Sequence, residues 1–182
     1  MKDLYADIDY ALIDEEKLHE RIRELAAYID NDYAESENLL FLCILKGGYM
    51  FMSDLSRACK VPHVIDFMAV SSYGDGTSSS GAVQITLDLK TPIADRDVLI
   101  VEDIIDTGLT LSYLLENLKA RKPKSLKICS LLSKPERHQA DIPIDYLGFE
   151  VPDEFVVGYG LDFAQLYRNL PFIAVLKPEV FS

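Results

Sequence analysis

Short apolar runs alternate along this chain with longer stretches in which apolar residues recur at helical spacing. The short runs predict strands at residues 39–45, 64–70, 83–87, 97–102 and 126–132. Helical spacing predicts helices at residues 13–33, 49–59 and 110–121. Shorter strand-like segments follow near residues 146–149, 155–158 and 172–176.

This alternation predicts an α/β fold. A strand that is apolar at every position is covered on both faces, as in a parallel sheet with helices on both sides. We therefore predict a mostly parallel, twisted sheet flanked by helices. The length of 182 residues suits one domain, and neither a repeat nor a linker divides it, so residues 1–182 are expected to form a single domain.

A stretch rich in serine and glycine, residues 71–81, interrupts the pattern. Eight of its eleven residues are Ser or Gly. Such a segment buries too little apolar surface to offset the entropy of ordering it, which predicts a mobile loop. The loop suits a lid that closes over bound substrates, although a plain flexible connection would have the same composition.

Charge and composition restrict the partners. Hydrophobic residues make up 49% of the chain and charged residues 26%, which is typical of a globular protein. Nucleic acids and anionic lipids need clustered Lys and Arg, whereas the net charge is −12 and the longest basic stretch is the short segment 119–127. Since the apolar runs are also shorter than the roughly 20 residues of a membrane helix, we expect neither a nucleic acid nor a membrane partner.

The cysteines indicate the compartment. Cys43 and Cys129 lie in apolar runs and are predicted to be buried, and the third cysteine is Cys59. An odd number of cysteines without a CxxC spacing favours a reducing environment. The first seven residues lack the apolar core of a signal peptide, so a cytoplasmic location is expected.

The segment 98–110 carries the most informative chemistry. An apolar strand ends in the adjacent carboxylates Glu102 and Asp103, and Asp106 opens a turn that leads through residues 107–110 into a helix. In open α/β sheets, ligands bind beyond the carboxyl ends of the strands. We therefore expect a binding site at this point of the chain.

Each part of this segment suits a sugar phosphate. The free N–H groups and positive dipole end of the helix bind phosphate without a lysine. Gly108 allows the backbone to approach closely, and the hydroxyls of Thr107 and Thr110 add donors. Glu102 and Asp103 can hold two vicinal hydroxyl groups, either directly or through a metal ion.

Other interpretations of these residues remain open at this point. Acidic residues followed by a helix also occur as ordinary N-capping. The triplet 106–108, Asp-Thr-Gly, matches the active-site triplet of aspartic proteases, but those enzymes need two copies in all-β lobes. Walker-type nucleotide hydrolases also have a strand ending in acidic residues, but the chain lacks the Gly-x-x-x-x-Gly-Lys-[Ser/Thr] run that they require.

The complete string 98–110 resembles the phosphoribosyl pyrophosphate-binding signature of type I phosphoribosyltransferases. Three further stretches agree with a narrower group: Leu-Lys-Gly-Gly at 45–48, Leu-Ser-Lys-Pro at 132–135, and 149–162 followed by Arg168. In order and spacing they resemble the bacterial hypoxanthine (hypoxanthine-guanine) phosphoribosyltransferases, over essentially the whole chain. The family pattern differs at residues 95–97, where many relatives have a Gly before the strand and this chain has Asp-Arg-Asp.

The resemblance implies a fold, an activity and partners. The fold would be that of type I phosphoribosyltransferases, with a small hood formed by the terminal segments. The activity would be Mg²⁺-dependent transfer of the phosphoribosyl group from phosphoribosyl pyrophosphate to a 6-oxopurine base. Hypoxanthine would give IMP and guanine GMP, with release of pyrophosphate, in purine salvage. The family also implies a homodimer or homotetramer.

The resemblance further implies a role for each matching residue. At the base, Asp106 would accept the imidazole proton, Lys134 would donate to the 6-oxo group, Phe155 would stack on the ring and the Val156 backbone would read its edge. The residues implied at the 5′-phosphate are Asp106, Thr107, Gly108, Leu109 and Thr110.

The pyrophosphate and ribose positions follow in the same way. Lys46 and Gly47, after a cis peptide bond between Leu45 and Lys46, would contact pyrophosphate together with Arg168. Glu102 and Asp103 would address the ribose hydroxyls and Mg²⁺, and Asp162 would bind a Mg²⁺ ion that bridges to pyrophosphate. The residues implied on the closing loop are Ser72 and Tyr73.

Two alternatives to this function remain. Some proteins of this fold are regulatory nucleotide sensors that bind RNA or DNA, although the charge of −12 argues against a basic binding face. The base could also differ, since residues 155–162 argue against a pyrimidine but do not rank hypoxanthine, guanine and xanthine.

Overall fold

The computed structural model describes residues 4–72 and 83–181. The strands are β1 Ile8–Ile13, β2 Leu39–Leu45, β3 Val64–Ser72, β4 Val83–Leu87, β5 Asp97–Ile105, β6 Ser125–Ser133, β7 Tyr146–Glu150, β8 Val156–Val157 and β9 Ile173–Leu176. The helices are α1 Glu15–Asp32, α2 Tyr49–Ala58, α3 Leu109–Ala120 and α4 Pro178–Phe181. Single 3₁₀ turns lie at Leu4–Asp7 and Pro135–Arg137.

Six strands form the main sheet, in the order β4-β3-β2-β5-β6-β7. All neighbours are parallel except β4, which runs antiparallel to β3 at the edge. Alternate residues of β2 enter different cores, since Phe41 and Cys43 pack with α1 and α2 whereas Leu40 and Leu42 pack with α3. The predicted mostly parallel α/β sheet is therefore confirmed.

The terminal segments form a second, small sheet. Its order is β1-β9-β8, and both pairings are antiparallel. The hood expected from the terminal segments is thus present. Helix α1 begins after β1, at the predicted cap Asp14, whose Oδ1 accepts the Lys17 N–H at 2.8 Å.

Strand β5 is longer than the sequence pattern predicted. It continues to Ile105, because Ile104 and Ile105 still pair with Leu132 and Ser133 of β6. Glu102 and Asp103 consequently lie within the strand, whereas the sequence pattern placed them at its end. Asp106 is the first residue beyond it.

Cys43 and Cys129 are buried, as predicted, and Cys59 is partly buried; all three are free thiols. Burial raises the pKa of the Cys43 thiol and of the Cys59 thiol to about 12. Over residues 4–72 and 83–181, none of the helices has the length and apolar character needed to cross a bilayer.

Two residues beside the start of β5 have left-handed backbones. Asp95 has φ 60° and Lys122 has φ 58°, and the Asp95 N–H donates to the Lys122 carbonyl at 3.1 Å. Asp95 belongs to the turn at which the family pattern was expected to have Gly, and its positive φ is a conformation that glycine adopts without strain.

Replacing Lys122 by Gly should raise the free energy of unfolding by about 0.5–1 kcal/mol. Lys122 follows the C-terminus of α3, and its N–H donates to the Lys119 carbonyl at 3.0 Å, so it occupies the position where helices favour a left-handed glycine. Urea denaturation of K122G measures the effect. K122A is the matched control, because it removes the charge without relieving the backbone, and an equal gain in K122A would contradict the explanation.

Candidate active site

The candidate site lies at the carboxyl ends of β2, β5 and β6, three adjacent parallel strands. A cleft of about 280 Å³ contains most of the residues expected at the sugar phosphate. Its lining includes Gly47, Glu102, Asp103, Asp106, Thr107, Gly108 and Thr110. The structure therefore brings together the loop after β2 and the complete segment between β5 and α3.

Glu102 and Asp103 form a pair of adjacent carboxylates beneath this cleft. Burial, together with the negative charge of Asp103, raises the pKa of Glu102 well above its usual range. Burial also raises the pKa of Asp103, which retains one short contact from the Ile104 N–H to its Oδ1 at 2.8 Å. A buried carboxylate with a second, partly buried carboxylate beside it favours a bound cation or hydroxyl donors at this position.

The loop after β2 presses against Asp103. The peptide bond between Leu45 and Lys46 is cis, as the family resemblance implied. A Cβ atom placed on Gly47 would lie 1.5 Å from Asp103 Oδ2. Only glycine therefore allows this loop to lie directly over the carboxylate pair.

The start of α3 is open to the cleft. Gly108 precedes the helix with φ 79°, a left-handed conformation that favours glycine, and it offers no side chain to cap the helix. The Thr107 hydroxyl oxygen accepts the Leu109 N–H at 3.4 Å. Thr107, Gly108 and Thr110 line the cleft, whereas the Leu109 side chain is exposed. A phosphate group fits such a helix N-terminus.

A second cleft of about 280 Å³ adjoins the first and shares Asp106 with it. Its lining residues come from β5, the segment after β6, and the hood: Ile104, Asp106, Lys134, Arg137, Phe155, Val156 and Leu161. Lys134 is only 7% exposed, and its Nζ donates to the Glu154 carbonyl at 2.7 Å. The four residues expected at a purine base therefore line one cavity.

Arg137 was not predicted from the sequence. Its Nε lies 2.6 Å from Asp106 Oδ1, and its Nη1 donates to Asp153 Oδ1 at 3.0 Å. The two carboxylates raise the pKa of the Arg137 guanidinium. The sequence shows a cationic residue three positions after Lys134, which could have suggested a site residue. Its spacing, however, did not indicate Asp106 as its partner.

The cationic residues expected at pyrophosphate meet around Gln165. Gln165 Oε1 accepts from Lys46 Nζ at 3.3 Å and from Arg168 Nη2 at 3.2 Å. Arg168 Nη2 also lies 2.7 Å from Asp162 Oδ1, and the Gln165 N–H donates to Asp162 Oδ2 at 2.8 Å. Sequence analysis found Lys46, Asp162 and Arg168, but not the glutamine that joins them.

The proposed metal ligands do not form one cluster. Within the described ranges 4–72 and 83–181, no group of three or more His, Cys, Asp or Glu side chains is arranged to hold a metal ion. Glu102 and Asp103 are adjacent, whereas Asp162 contacts Arg168. Of the expected loop residues, Ser72 ends β3, and Tyr73 lies outside the described residues together with 74–81, so the predicted lid is not described.

Comparison with known proteins identifies the family. The family model described as the phosphoribosyl transferase domain matches residues 11–164. The chain belongs to this phosphoribosyltransferase family. The resemblance to type I phosphoribosyltransferases is therefore confirmed.

Close relatives of this phosphoribosyltransferase cover nearly its whole length. The hypoxanthine-guanine phosphoribosyltransferase of Bacillus subtilis is 53% identical over 176 residues, which are 97% of both chains. That of Mycobacterium tuberculosis is 50% identical over 181 residues, 97% of this chain and 90% of that protein. The crystal structure of a hypoxanthine phosphoribosyltransferase from Staphylococcus aureus superimposes with a TM-score of 0.94 at 50% identity, covering 98% of this chain and 97% of that one.

Proposed function

We propose that this protein transfers the 5-phosphoribosyl group of phosphoribosyl pyrophosphate to hypoxanthine, and to guanine, in purine salvage. The products are IMP or GMP and pyrophosphate. One observation carries the proposal: the open helix start of α3 and the adjacent carboxylates Glu102 and Asp103 share one cleft, and Asp106 also lines a second cleft with Lys134 and Phe155. The names of the relatives at 50–53% identity support the same reaction. Residues 1–182 act as a single catalytic domain.

The sugar phosphate binds in the first cleft. The N–H groups at the start of α3 and the hydroxyls of Thr107 and Thr110 hold the 5′-phosphate. Glu102 and Asp103 hold the ribose hydroxyls. Lys46 and Arg168, joined by Gln165, meet the negative charge of pyrophosphate.

Asp106 serves as the general base. Cleavage at the anomeric carbon passes through an oxocarbenium-like transition state, as in glycoside cleavage. The attacking purine nitrogen becomes a better nucleophile when its imidazole proton leaves, and a carboxylate within hydrogen-bonding reach can accept that proton. Asp106 lies where the sugar and base clefts meet, so its carboxylate can reach the proton, while the loop carrying Ser72 and Tyr73 would exclude water.

The residues present fit a magnesium ion. Mg²⁺ in nucleotide-dependent enzymes is commonly held by one or two carboxylates together with substrate phosphates, rather than by a complete protein cage. Glu102 and Asp103 supply such a pair, and Asp162 is a third candidate on the pyrophosphate side. Mg²⁺ bound there would neutralise the charge of the leaving pyrophosphate.

Lys134 selects the base. Its buried ammonium group can donate a hydrogen bond to the 6-oxo group of hypoxanthine or guanine. The 6-amino group of adenine is itself a donor and cannot accept that hydrogen bond. Mismatched buried polar groups discriminate by roughly 10⁴-fold. Little or no turnover of adenine is therefore expected.

Replacing Lys134 by Ala should lower kcat/KM for hypoxanthine roughly 10- to 100-fold, because a hydrogen bond from a charged donor contributes about 1.5–3 kcal/mol. Turnover of adenine should not fall in parallel, so the ratio of the two bases measures the role. Thermal unfolding of K134A provides the control for lost stability, since Lys134 also donates to the Glu154 carbonyl. Unchanged kcat/KM for hypoxanthine would refute the assignment.

We also propose that the enzyme is a homodimer or homotetramer. Four apolar side chains on β3 and β4, at the edge of the main sheet, are exposed: Val64, Ile65, Phe67 and Leu87. Ile65 and Phe67 share one face of β3, and exposed apolar side chains grouped on one face often mark a protein interface. Light scattering after size exclusion measures the assembly. A cytoplasmic location accords with the three free thiols.

The direct test is a product assay with phosphoribosyl pyrophosphate, Mg²⁺ and each of hypoxanthine, guanine, xanthine and adenine. Formation of IMP and GMP is the expected result, and omission of Mg²⁺ should abolish it. Turnover of xanthine alone would replace the proposed substrate. Failure with all four bases, together with retention on RNA at moderate salt, would favour a regulatory nucleotide sensor.

A further inference from the structure

Helix α4 follows the last strand of the hood and is fixed at several points. The Lys177 N–H donates to the Asp7 carbonyl at 3.0 Å, and Lys177 Nζ donates to the Ala6 carbonyl at 2.8 Å. Val180 packs against the small apolar cluster of the hood. These contacts tie α4 to both the N-terminal turn and the hood core, and they determine where Phe181 lies.

Phe181 stacks on Phe155. The ring centroids are 4.8 Å apart and the ring planes differ by 23°. Phe163 meets Phe155 edge-on, with centroids 5.5 Å apart and planes at 86°. Phe155 remains 37% exposed and Phe181 38% exposed, so neither ring is simply a core residue.

The two contacts leave one side of Phe155 available. The base cleft is the second cleft described above, which contains Asp106 and Lys134. Phe155 and Leu161 line this cleft, whereas Phe181 does not. A neighbouring cleft of about 430 Å³ shares Phe155, Lys134 and Arg137 with it and is also lined by Phe181. Phe155 thus lies between two adjoining cavities, and Phe181 contacts it from the cavity that does not contain Asp106.

We propose that Phe181 is a positioning residue for the purine base. This inference rests on the proposed function, in which Phe155 stacks on the base. A half-exposed phenyl ring without support would have to be immobilised when the base binds, which weakens binding. Phe181 holds the ring in place beforehand, so that Phe181, Phe155 and the base form a continuous stack. Offset-stacked aromatic pairs contribute energy beyond their buried area.

Replacing Phe181 by Ala should raise KM for hypoxanthine roughly 3- to 10-fold, the range that corresponds to one aromatic pair. KM for phosphoribosyl pyrophosphate and kcat should stay within about twofold. F181Y keeps the ring and should retain the KM of the wild type. F181L keeps apolar cover without a ring and should resemble F181A. If F181A does not fold, the comparison of F181Y with F181L decides the question.

Y5A is the matched control. Tyr5 is another exposed aromatic residue near the chain terminus, and its ring partner is Phe172, at a centroid distance of 6.0 Å, rather than Phe155. Y5A should leave KM for hypoxanthine unchanged. A rise equal to that in F181A would reduce the role of Phe181 to general stability of the hood and would overturn the proposal.

A double-mutant cycle with Phe155 tests whether Phe181 acts through that ring. In an F155L background, the additional F181A substitution should have little further effect on KM for hypoxanthine, because the stacked ring is already missing. An undiminished effect would overturn the proposal, as would an unchanged or lower KM in F181A itself. Turnover of hypoxanthine by the wild type is measured first, so that a failure of the proposed function is recognised separately from a failure of this proposal. If the wild type turns over only xanthine, the same ratios of KM are measured with xanthine.

Discussion

Replacing Asp106 by Asn should lower kcat for hypoxanthine roughly 10²- to 10⁴-fold, the usual contribution of a general base. The amide keeps the size of the side chain but cannot accept the purine proton. KM for phosphoribosyl pyrophosphate should change little, because the helix N–H groups that are proposed to hold the phosphate remain. Steady-state kinetics with both substrates, and calorimetric binding of phosphoribosyl pyrophosphate, separate these effects.

Asp153 provides the control for this substitution. Arg137 contacts both Asp106 and Asp153, and the two carboxylate side chains are similarly exposed, at 43% and 47%. D153N therefore removes one ion pair of Arg137, and also the 3.7 Å contact of Asp153 with Lys134 Nζ, without removing the proposed base. Because the exposed pair with Arg137 contributes about 0–1 kcal/mol, its loss should lower kcat at most about fivefold. Equal losses in D106N and D153N would assign the effect to the ion pairs of Arg137 and Lys134 rather than to proton transfer.

The fold could be predicted from the sequence wherever the pattern of apolar residues reflected both the burial of a segment and its secondary structure. The bounds of β2 were predicted correctly because every residue from Leu39 to Ile44 is buried, so the apolar run ends with the strand. Strand β1 was missed because only Ile13 of its six residues is buried and its partner, β9, lies more than 150 residues later in the chain. A strand held by a distant partner leaves little signal in its own residues.

The candidate site could be predicted for a similar reason. Glu102, Asp103 and Asp106 belong to one continuous segment, so their proximity follows from the strand and turn that carry them. Arg137 and Phe181 make their contacts through packing of segments far apart in sequence: Arg137 meets Asp106 from the segment after β6, and Phe181 meets Phe155 from beyond β9. Local spacing holds no information about such pairs.

For the carboxylates Glu102 and Asp103, the stability of the folded protein conflicts with the binding of a cation or of hydroxyl donors. Within β5, Asp103 is buried and Glu102 is partly buried, and their raised pKa values mean that ionising them is less favourable than in water. A strand end, where the sequence pattern placed them, would have left them in water at no such cost. Buried placement makes the pair a stronger attractor for a cation and for hydroxyl donors, which is consistent with a binding role.

Replacing Gly47 by Ala should lower kcat/KM for phosphoribosyl pyrophosphate at least about 10²-fold, because a displacement of roughly 1 Å in a catalytic group has an effect of that size. The new methyl group would lie 1.5 Å from Asp103 Oδ2 and 2.5 Å from its Cγ, so the loop or the carboxylate must move. Overpacking of this kind also destabilises by about 1–3 kcal/mol. Steady-state kinetics and urea denaturation of G47A measure the two effects.

The clash can be tested by removing its other partner. In a D103A background the carboxylate is missing, so adding G47A should reduce the free energy of unfolding by much less than it does in the wild type. An equal loss in both backgrounds would mean that glycine is required by the backbone of the loop and not by its contact with Asp103. Asp103 would then be free to act independently of the loop. The coupling between the two positions therefore decides whether the loop after β2 and the Asp103 carboxylate are one structural unit, as the close approach of Gly47 to Asp103 indicates.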